Sequence, residues 1–332
     1  MRFGFHFSFD RMSGLQDYIM NREPKSTVRL IERLLILVIT VVLFPTVAAS
    51  QHVSLVVTIT DKTGRYVSGL RKDQVTVLDE DTPQEIASFE KVNVPVTVAF
   101  LFDMPALKRA ELVKAAKPAL LRFISTSNPA NEYLIAGLDG NSYSAKPFTR
   151  DLKSISGEFD NLAKAPVTGK NTLLDALSFG IDKIKSGANG KRVIVFVSND
   201  DGNGLKRTMA ELLESVKQSD VILYAVKLKD LIGSNLKSTA FEELSAISGG
   251  KSFYPTTQSE LDDTFDMVAL ELAHQYSLVF SSASPTTSSQ WHRLQLSVKP
   301  LQIKENSSGK VTPVPLFIRS RKGYYEDGNI KK

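Results

Sequence analysis

The spacing of apolar residues changes twice along the chain. From Val53 to Val92, apolar and polar positions alternate in short runs. VSLVVTIT is followed by Asp61-Lys-Thr-Gly64 and then by QVTVLDE around residues 74–80. Period-two alternation broken by Asp and Gly predicts short strands with one buried face, joined by turns. From Val94 to His274 the runs become continuous: VTVAFLF at 96–102, RVIVFVS at 192–198 and VILYAVKL at 221–228. Strands of that kind are covered on both faces. Between them lie amphipathic helices. In the first, Leu112, Val113, Ala116, Leu120, Phe123 and Ile124 share a face, and Pro118 predicts a kink. Thr208-Met-Ala-Glu211 and Thr239-Ala-Phe-Glu242 read as capping boxes ahead of two later helices. After His274 alternation returns in YSLVFSSA, a Ser/Thr/Pro-rich turn at 281–290, HRLQLSVKP and LFIRSRKGYY.

Neither alternating segment is long enough to bury a core by itself. The economical solution pairs the two into one small β-sandwich, with the α/β segment inserted between them. The resulting division is a leader at residues 1–49, an N-terminal β flank at 50–93 and an α/β domain at 94–274. A C-terminal β flank at 275–325 and a frayed tail at 326–332 complete it. The expected class is α/β, with a mostly parallel sheet carrying helices on both faces.

The leader adds a location. Arg22, Lys25, Arg29 and Arg33 precede an apolar run from Leu34 to Phe44, and Pro45-Thr-Val-Ala-Ala-Ser50 follows. A basic segment, a short apolar core and small residues describe a secretory signal, with cleavage after Ala49. Eleven residues fall short of the roughly 20 that cross a bilayer, so no membrane span is expected after cleavage. Met12 and Met20 are alternative starts. The chain is expected to be exported, to the periplasm or the outside of the cell.

Composition mostly excludes. Among 332 residues, 41 are basic and 36 acidic, a net charge of +5, and part of that excess leaves with the leader. No basic run is interleaved with aromatics, so nucleic acid is not an expected partner. The chain has 0 cysteines, which removes disulfides, thiolate metal sites, a cysteine nucleophile and a lipid-anchored cysteine.

The candidate chemistry sits in AFLFDMPALKR, residues 99–109, where a buried strand stops on Asp103 just before a helix. In α/β proteins, ligands gather at such strand ends. The wider chain resembles the von Willebrand factor A (VWA) domain and the bacterial VWFA-related proteins that carry it. The residues that carry the likeness are ITDKTGRYVSGL (59–70), QEIASF (84–89), GKNTLLDAL (169–177), VIVFVSNDDGNG (193–204), HQYSLVF (274–280) and RSRKGYY (319–325). The resemblance implies a Rossmann-like VWA domain. It also implies an apex of three loops that, in many VWA domains, holds a divalent cation through Asp-x-Ser-x-Ser, a Thr and an Asp. Such a site suits Mg²⁺ or Mn²⁺, with water filling much of the shell.

Carried over residue by residue, the set is degenerate. Asp103 matches the first aspartate and Thr172 the threonine, but Pro105 and Leu107 occupy the two serine positions. Asn199 falls on the third-loop aspartate, with Asp200 and Asp201 just after it. The metal-ligand set would be Asp103, Thr172 and Asp200, and the bland alternatives stay open. Thr172 and Asp175 also suit a helix start. Asp103 also suits a cap, and Asp200-Asp201-Gly202-Asn203-Gly204 a solvated turn. No cofactor is expected. The apex residues offered for partner contact are Asp103, Met104, Pro105, Lys170, Asn171, Thr172, Asn199, Asp200 and Asp201.

Other motifs are incomplete. Gly169-Lys170-Asn171-Thr172 lacks Ser or Thr directly after the lysine, and Lys164 stands where a phosphate loop needs its first glycine. His52, His274 and His292 show no zinc-ligand spacing, and no G-x-S-x-G occurs. His274 reads as a helix C-terminal dipole partner. Trp291, Tyr324 and Tyr325 read as sandwich core. The sequence therefore points to an exported, non-enzymatic protein-interaction module with little or no metal dependence. A structural scaffold of an envelope complex and a Mg²⁺-dependent adhesion protein with a rebuilt site are the alternatives.

Overall fold

Val53, Leu55, Val57 and Ile59 are buried in β1 (Gln51–Asp61), as the alternation requires of a strand with one face on a core. The structure is a computed structural model. It describes residues 51–91, 93–103, 106–139, 142–164, 173–198, 209–228, 239–282, 290–304 and 311–325. All of these belong to one unit, Ser50–Lys332. The leader reading of 1–49 and the frayed tail at 326–332 lie outside the described residues.

β1 turns at Asp61, whose Oδ1 accepts from the N–H groups of Thr63 and Arg65, with Gly64 at φ 82°. A hairpin of β2 (Val75–Asp79) and β3 (Thr82–Lys91) follows.

The α/β segment then runs β4 (Val96–Asp103), α1 (Ala106–Thr126), β5 (Glu132–Asp139), β6 (Ser142–Ala145), α2 (Leu152–Lys164) and α3 (Leu173–Ile184). It continues with β7 (Lys191–Ser198), α4 (Met209–Lys217), β8 (Val221–Lys227), α5 (Thr239–Ser248), β9 (Ser252–Phe253) and α6 (Gln258–His274). The strands form a six-stranded sheet ordered β6-β5-β4-β7-β8-β9, parallel except for β6.

The strands are apolar at nearly every position because both faces are covered. Val98, Phe100 and Phe102 of β4 meet α1, α2 and α6 on one side. Ala99 and Leu101 meet α3 and α5 on the other, where α4 also packs. Helix α1 continues through Pro118 as one 21-residue element, so the proline does not end it. Glu242 accepts from the Tyr254 hydroxyl, and the Thr239 side chain expected to box with it lies outside the described residues. The cap seen on α6 is Thr257, whose side chain accepts from the Glu260 N–H. Thr208 lies outside the described residues.

The returning flank supplies β10 (Tyr276–Ser282), β11 (Trp291–Val298), β12 (Leu301–Lys304), β13 (Val311–Val314), β14 (Leu316–Arg319) and β15 (Gly323–Tyr325). The two flanks pair with each other as expected. They form an antiparallel sheet ordered β14-β1-β10-β3-β2-β11-β15, accompanied by a β12–β13 ribbon. Inward residues of β1, β2, β3, β10, β11 and β15 gather into one separate core.

The flanks hold the α/β layer through specific groups. Gly249 ends α5 at φ 85°, and a Cβ there would lie 2.6 Å from the Arg321 backbone nitrogen. Only glycine fits, both for its backbone angle and for its closeness to the returning chain.

Candidate functional site

The strand order makes one edge of the six-stranded sheet special. From β4 the chain moves to β5 through α1, on the face that also carries α2 and α6. It then crosses to β7, on the other side of β4, and leaves through α4 on the opposite face. Adjacent strands whose helices depart to opposite faces leave a crevice at their C-terminal ends. Asp103 ends β4 there and is the register partner of Ser198, which ends β7. Helix α3 must begin at this same edge, because it leads through a short turn into the start of β7. The ends of β4 and β7 at residues 103 and 198 and the start of α3 at 173 therefore lie at one edge of the sheet.

Of the named apex residues, the backbone of Asp103 is placed. Met104, Pro105, Lys170, Asn171, Thr172, Asn199, Asp200 and Asp201 lie outside the described residues. Leu107 occupies the second position of α1, and Asp175 lies in the first turn of α3. Among the described residues, no three His, Asp or Glu side chains gather around a common point.

Around the opposite end, where α6 finishes, a polar cluster is built that no motif announced. Glu271 of α6 is deeply buried, with a side chain 4% exposed, and both its oxygens lie 2.6 Å from Arg319 Nη2 of β14. Its Oε1 accepts from the Tyr224 hydroxyl of β8 at 2.6 Å and from Thr58 of β1 at 3.2 Å. Its Oε2 accepts from Tyr66 at 3.3 Å. Gln275 Nε2 donates to Thr58, Tyr224 and Glu271, and Arg319 Nη1 donates to the Gly249 carbonyl at 3.1 Å. Five donors around one carboxylate satisfy its oxygens away from water. Burial, with the Glu271 charge adding to it, pushes the Tyr224 and Tyr66 hydroxyls well above the ordinary tyrosine range. Both are fixed as donors. The cluster ties α6 and β8 of the inserted layer to β1 and β14 of the flanks.

Three stretches that carried the family likeness supply this cluster: Tyr66 from ITDKTGRYVSGL, Gln275 from HQYSLVF and Arg319 from RSRKGYY. The only sequence signal was that these stretches stand out as motifs without catalytic content.

A second buried group joins Asp79, His292 and Tyr324. His292 Nδ1 lies 3.1 Å from Asp79 Oδ1, and the Tyr324 hydroxyl donates to Asp79 Oδ2 at 2.6 Å. The Tyr324 ring stacks on His292 at 5.1 Å between centroids. Tyr324 is core, as expected. Trp291 and Tyr325 are not: they are half-exposed and pack edge-on at 5.2 Å beside α4. There Lys217 Nζ sits 5.1 Å from the centre of the Trp291 ring, and the Tyr325 hydroxyl donates to Glu214. They extend sideways because β11 and β15 overrun the core and reach the inserted layer. His274 closes α6, its Nδ1 2.8 Å from the Leu270 carbonyl, as a C-terminal partner should.

No family model matches the chain, and comparison with characterised proteins finds no relative. Solved structures with similar architecture include the PilB minor pilin from Streptococcus sanguinis, at 12% identity and a TM-score of 0.44. That match covers 56% of this chain and 63% of the pilin, so the chain spans less than two thirds of the pilin's length. Proximal thread matrix protein 1 from the mussel byssus gives 14% identity and a TM-score of 0.44 over 57% of this chain and 49% of that one. The ArnB paralog VWA2 from Sulfolobus acidocaldarius gives 13% and 0.42 over 80% and 75%. Likeness at this level concerns the fold and transfers no residue roles.

Proposed function

We propose that the chain is an exported, non-enzymatic VWA-type module that engages a protein partner through the loops at the strand-end edge of its six-stranded sheet, with little or no metal dependence. The observation that carries this reading is the switch point, where the Asp103 and Ser198 strand ends lie side by side and their helices leave to opposite faces. The donor set supports metal independence, since Pro105 and Leu107 remove two oxygens from the shell the family pattern would build. The leader pattern at 1–49 supports export. Among the described residues, no helix is long and apolar enough to cross a membrane.

The test is capture of partners from an envelope fraction on the immobilised protein, with and without chelator, and with Asp103→Ala, Lys170→Ala and Asp200→Ala. Binding that survives chelation and fails in the loop variants is the expected result. Loss of binding on chelation would establish a rebuilt Mg²⁺ or Mn²⁺ site using Asp103, Thr172 and Asp200. Binding indifferent to all three substitutions would favour the scaffold reading. One observation speaks for that second reading: edge strand β14 presents Phe317 at 58% exposure, an apolar side chain beside unpaired backbone groups.

A further inference from the structure

A cavity of about 390 Å³ lies where the flank sheet meets the starting ends of β7 and β8. It is large enough for a small molecule. Much of its wall is apolar, contributed by Val56, Val216 and Ile222. The charged groups on it are Lys191, Arg192, Asp220 and Arg321. Asp220 and Arg321 neutralise each other at 2.9 Å. Among the described residues, that leaves Lys191 and Arg192 without a salt bridge to a carboxylate.

Arg192 is the decisive group. It is half-buried, its Nε is shielded from solvent, and that nitrogen has no hydrogen-bond partner. The nearest row of polar groups is already committed. Glu132, across β4 from Arg192, accepts from the Thr97 hydroxyl at 2.6 Å and from the N–H groups of Ala188 and Asn189. Lys191 faces the other side of the strand and donates only to the Leu272 carbonyl, at 3.1 Å. Burial lowers it to about 8, with Glu271 opposing. A half-buried guanidinium that lines a cavity with an apolar wall, and that no carboxylate among the described residues pairs, describes a place for an anion.

We propose that this cavity binds a small organic carboxylate, with the Arg192 guanidinium holding the charged end and the apolar wall holding the body. A planar guanidinium fork matches a carboxylate in two parallel hydrogen bonds. The apolar wall favours an acyl chain over a bare inorganic anion. This inference is independent of the strand-end edge and of any protein partner bound there.

Titration calorimetry with hexanoate, 1-hexanol and inorganic phosphate tests it, on the protein and on Arg192→Gln. Hexanoate is expected to bind and 1-hexanol to bind at least about tenfold more weakly. Arg192→Gln should lose at least about tenfold of the hexanoate affinity, the loss of one charge-assisted pair. Amide NMR shifts on the unaltered protein provide a readout that does not depend on the variant folding. Hexanoate should move Gly190, Ser219, Asp220 and Ser277 and leave the amides near Asp103 unmoved. Equal binding of hexanol, equal binding of phosphate, an unaffected Arg192→Gln, or shifts elsewhere would each overturn the proposal.

Discussion

The two ends of the six-stranded sheet use polar chemistry in opposite ways. At the strand-end edge the Asp103 and Ser198 strand ends lie side by side, and the sequence that follows Asp103 carries proline at 105 and leucine at 107. At the other end no motif marks a site, yet Glu271 is surrounded by Arg319, Tyr224, Tyr66, Thr58 and Gln275, drawn from five separate elements and loops. The topology alone would assign function to the first end and packing to the second. The side chains place the demanding electrostatics where the inserted layer meets its flanks. In this chain the fixed charge network serves the joint, and the edge is left to its loops.

The joint is the place to break that comparison with the largest effect. Arg319→Met strands a carboxylate that is almost wholly buried, and a cost of about 3–5 kcal/mol is expected from urea unfolding. Glu271→Leu combined with Arg319→Met should recover much of it, because no unpaired charge remains. A single substitution that costs less than about 1 kcal/mol would show that the network does not carry the joint. A smaller loss, about 2 kcal/mol, is expected for Gly249→Ala, which combines a left-handed backbone with a collision against Ser320 and Arg321. Gly64→Ala, in open space at φ 82°, isolates the backbone part of that cost.

These residues also mark the boundary of what the sequence discloses. Period-two and continuous apolar runs located the flanks, the doubly covered strands and the pairing of distant segments, because burial of one or both faces writes itself into local spacing. The switch point followed from topology and from Asp103 at the end of its run. The joint could not be read in that way. Its members lie at positions 58, 66, 224, 271, 275 and 319, each a single polar residue in an otherwise ordinary element. Glu271, in particular, reads as the polar side of an amphipathic helix. It is buried because α6 is covered by the flank sheet as well as by its own. Trp291 illustrates the converse: a large ring in an alternating strand suggests core, but the strand overruns the core it was assigned to.

Lys191 sharpens the comparison through pH. Its folded value of about 8 lies below the ordinary 10.5, the cause being burial. Between those two values the unfolded chain holds the proton more tightly than the folded one, so stability rises with pH across that window. Below about 8 both states are protonated and the slope vanishes. The unaltered protein should therefore gain stability relative to Lys191→Met as pH rises from 8 towards 10.5. Parallel profiles would place the ammonium in water and remove one of the two spare charges from the cavity wall.

The smallest effect belongs to the edge, and its smallness is informative. With a dissociation constant above 10 mM, 10 mM Mg²⁺ should raise unfolding stability by no more than about 0.4 kcal/mol. Restoring the missing oxygens with Pro105→Ser and Leu107→Ser should change that. A site near 1 mM would give about 1.4 kcal/mol under the same conditions. That gain should disappear with Asp103→Ala, since the first carboxylate is the anchor of the rebuilt shell. If the unaltered protein already responds as strongly as the restored one, then Asp200 or Asp201 is supplying what the two hydroxyls do not. The contrast between a chemically built joint and a chemically vacated edge would then fail at the edge.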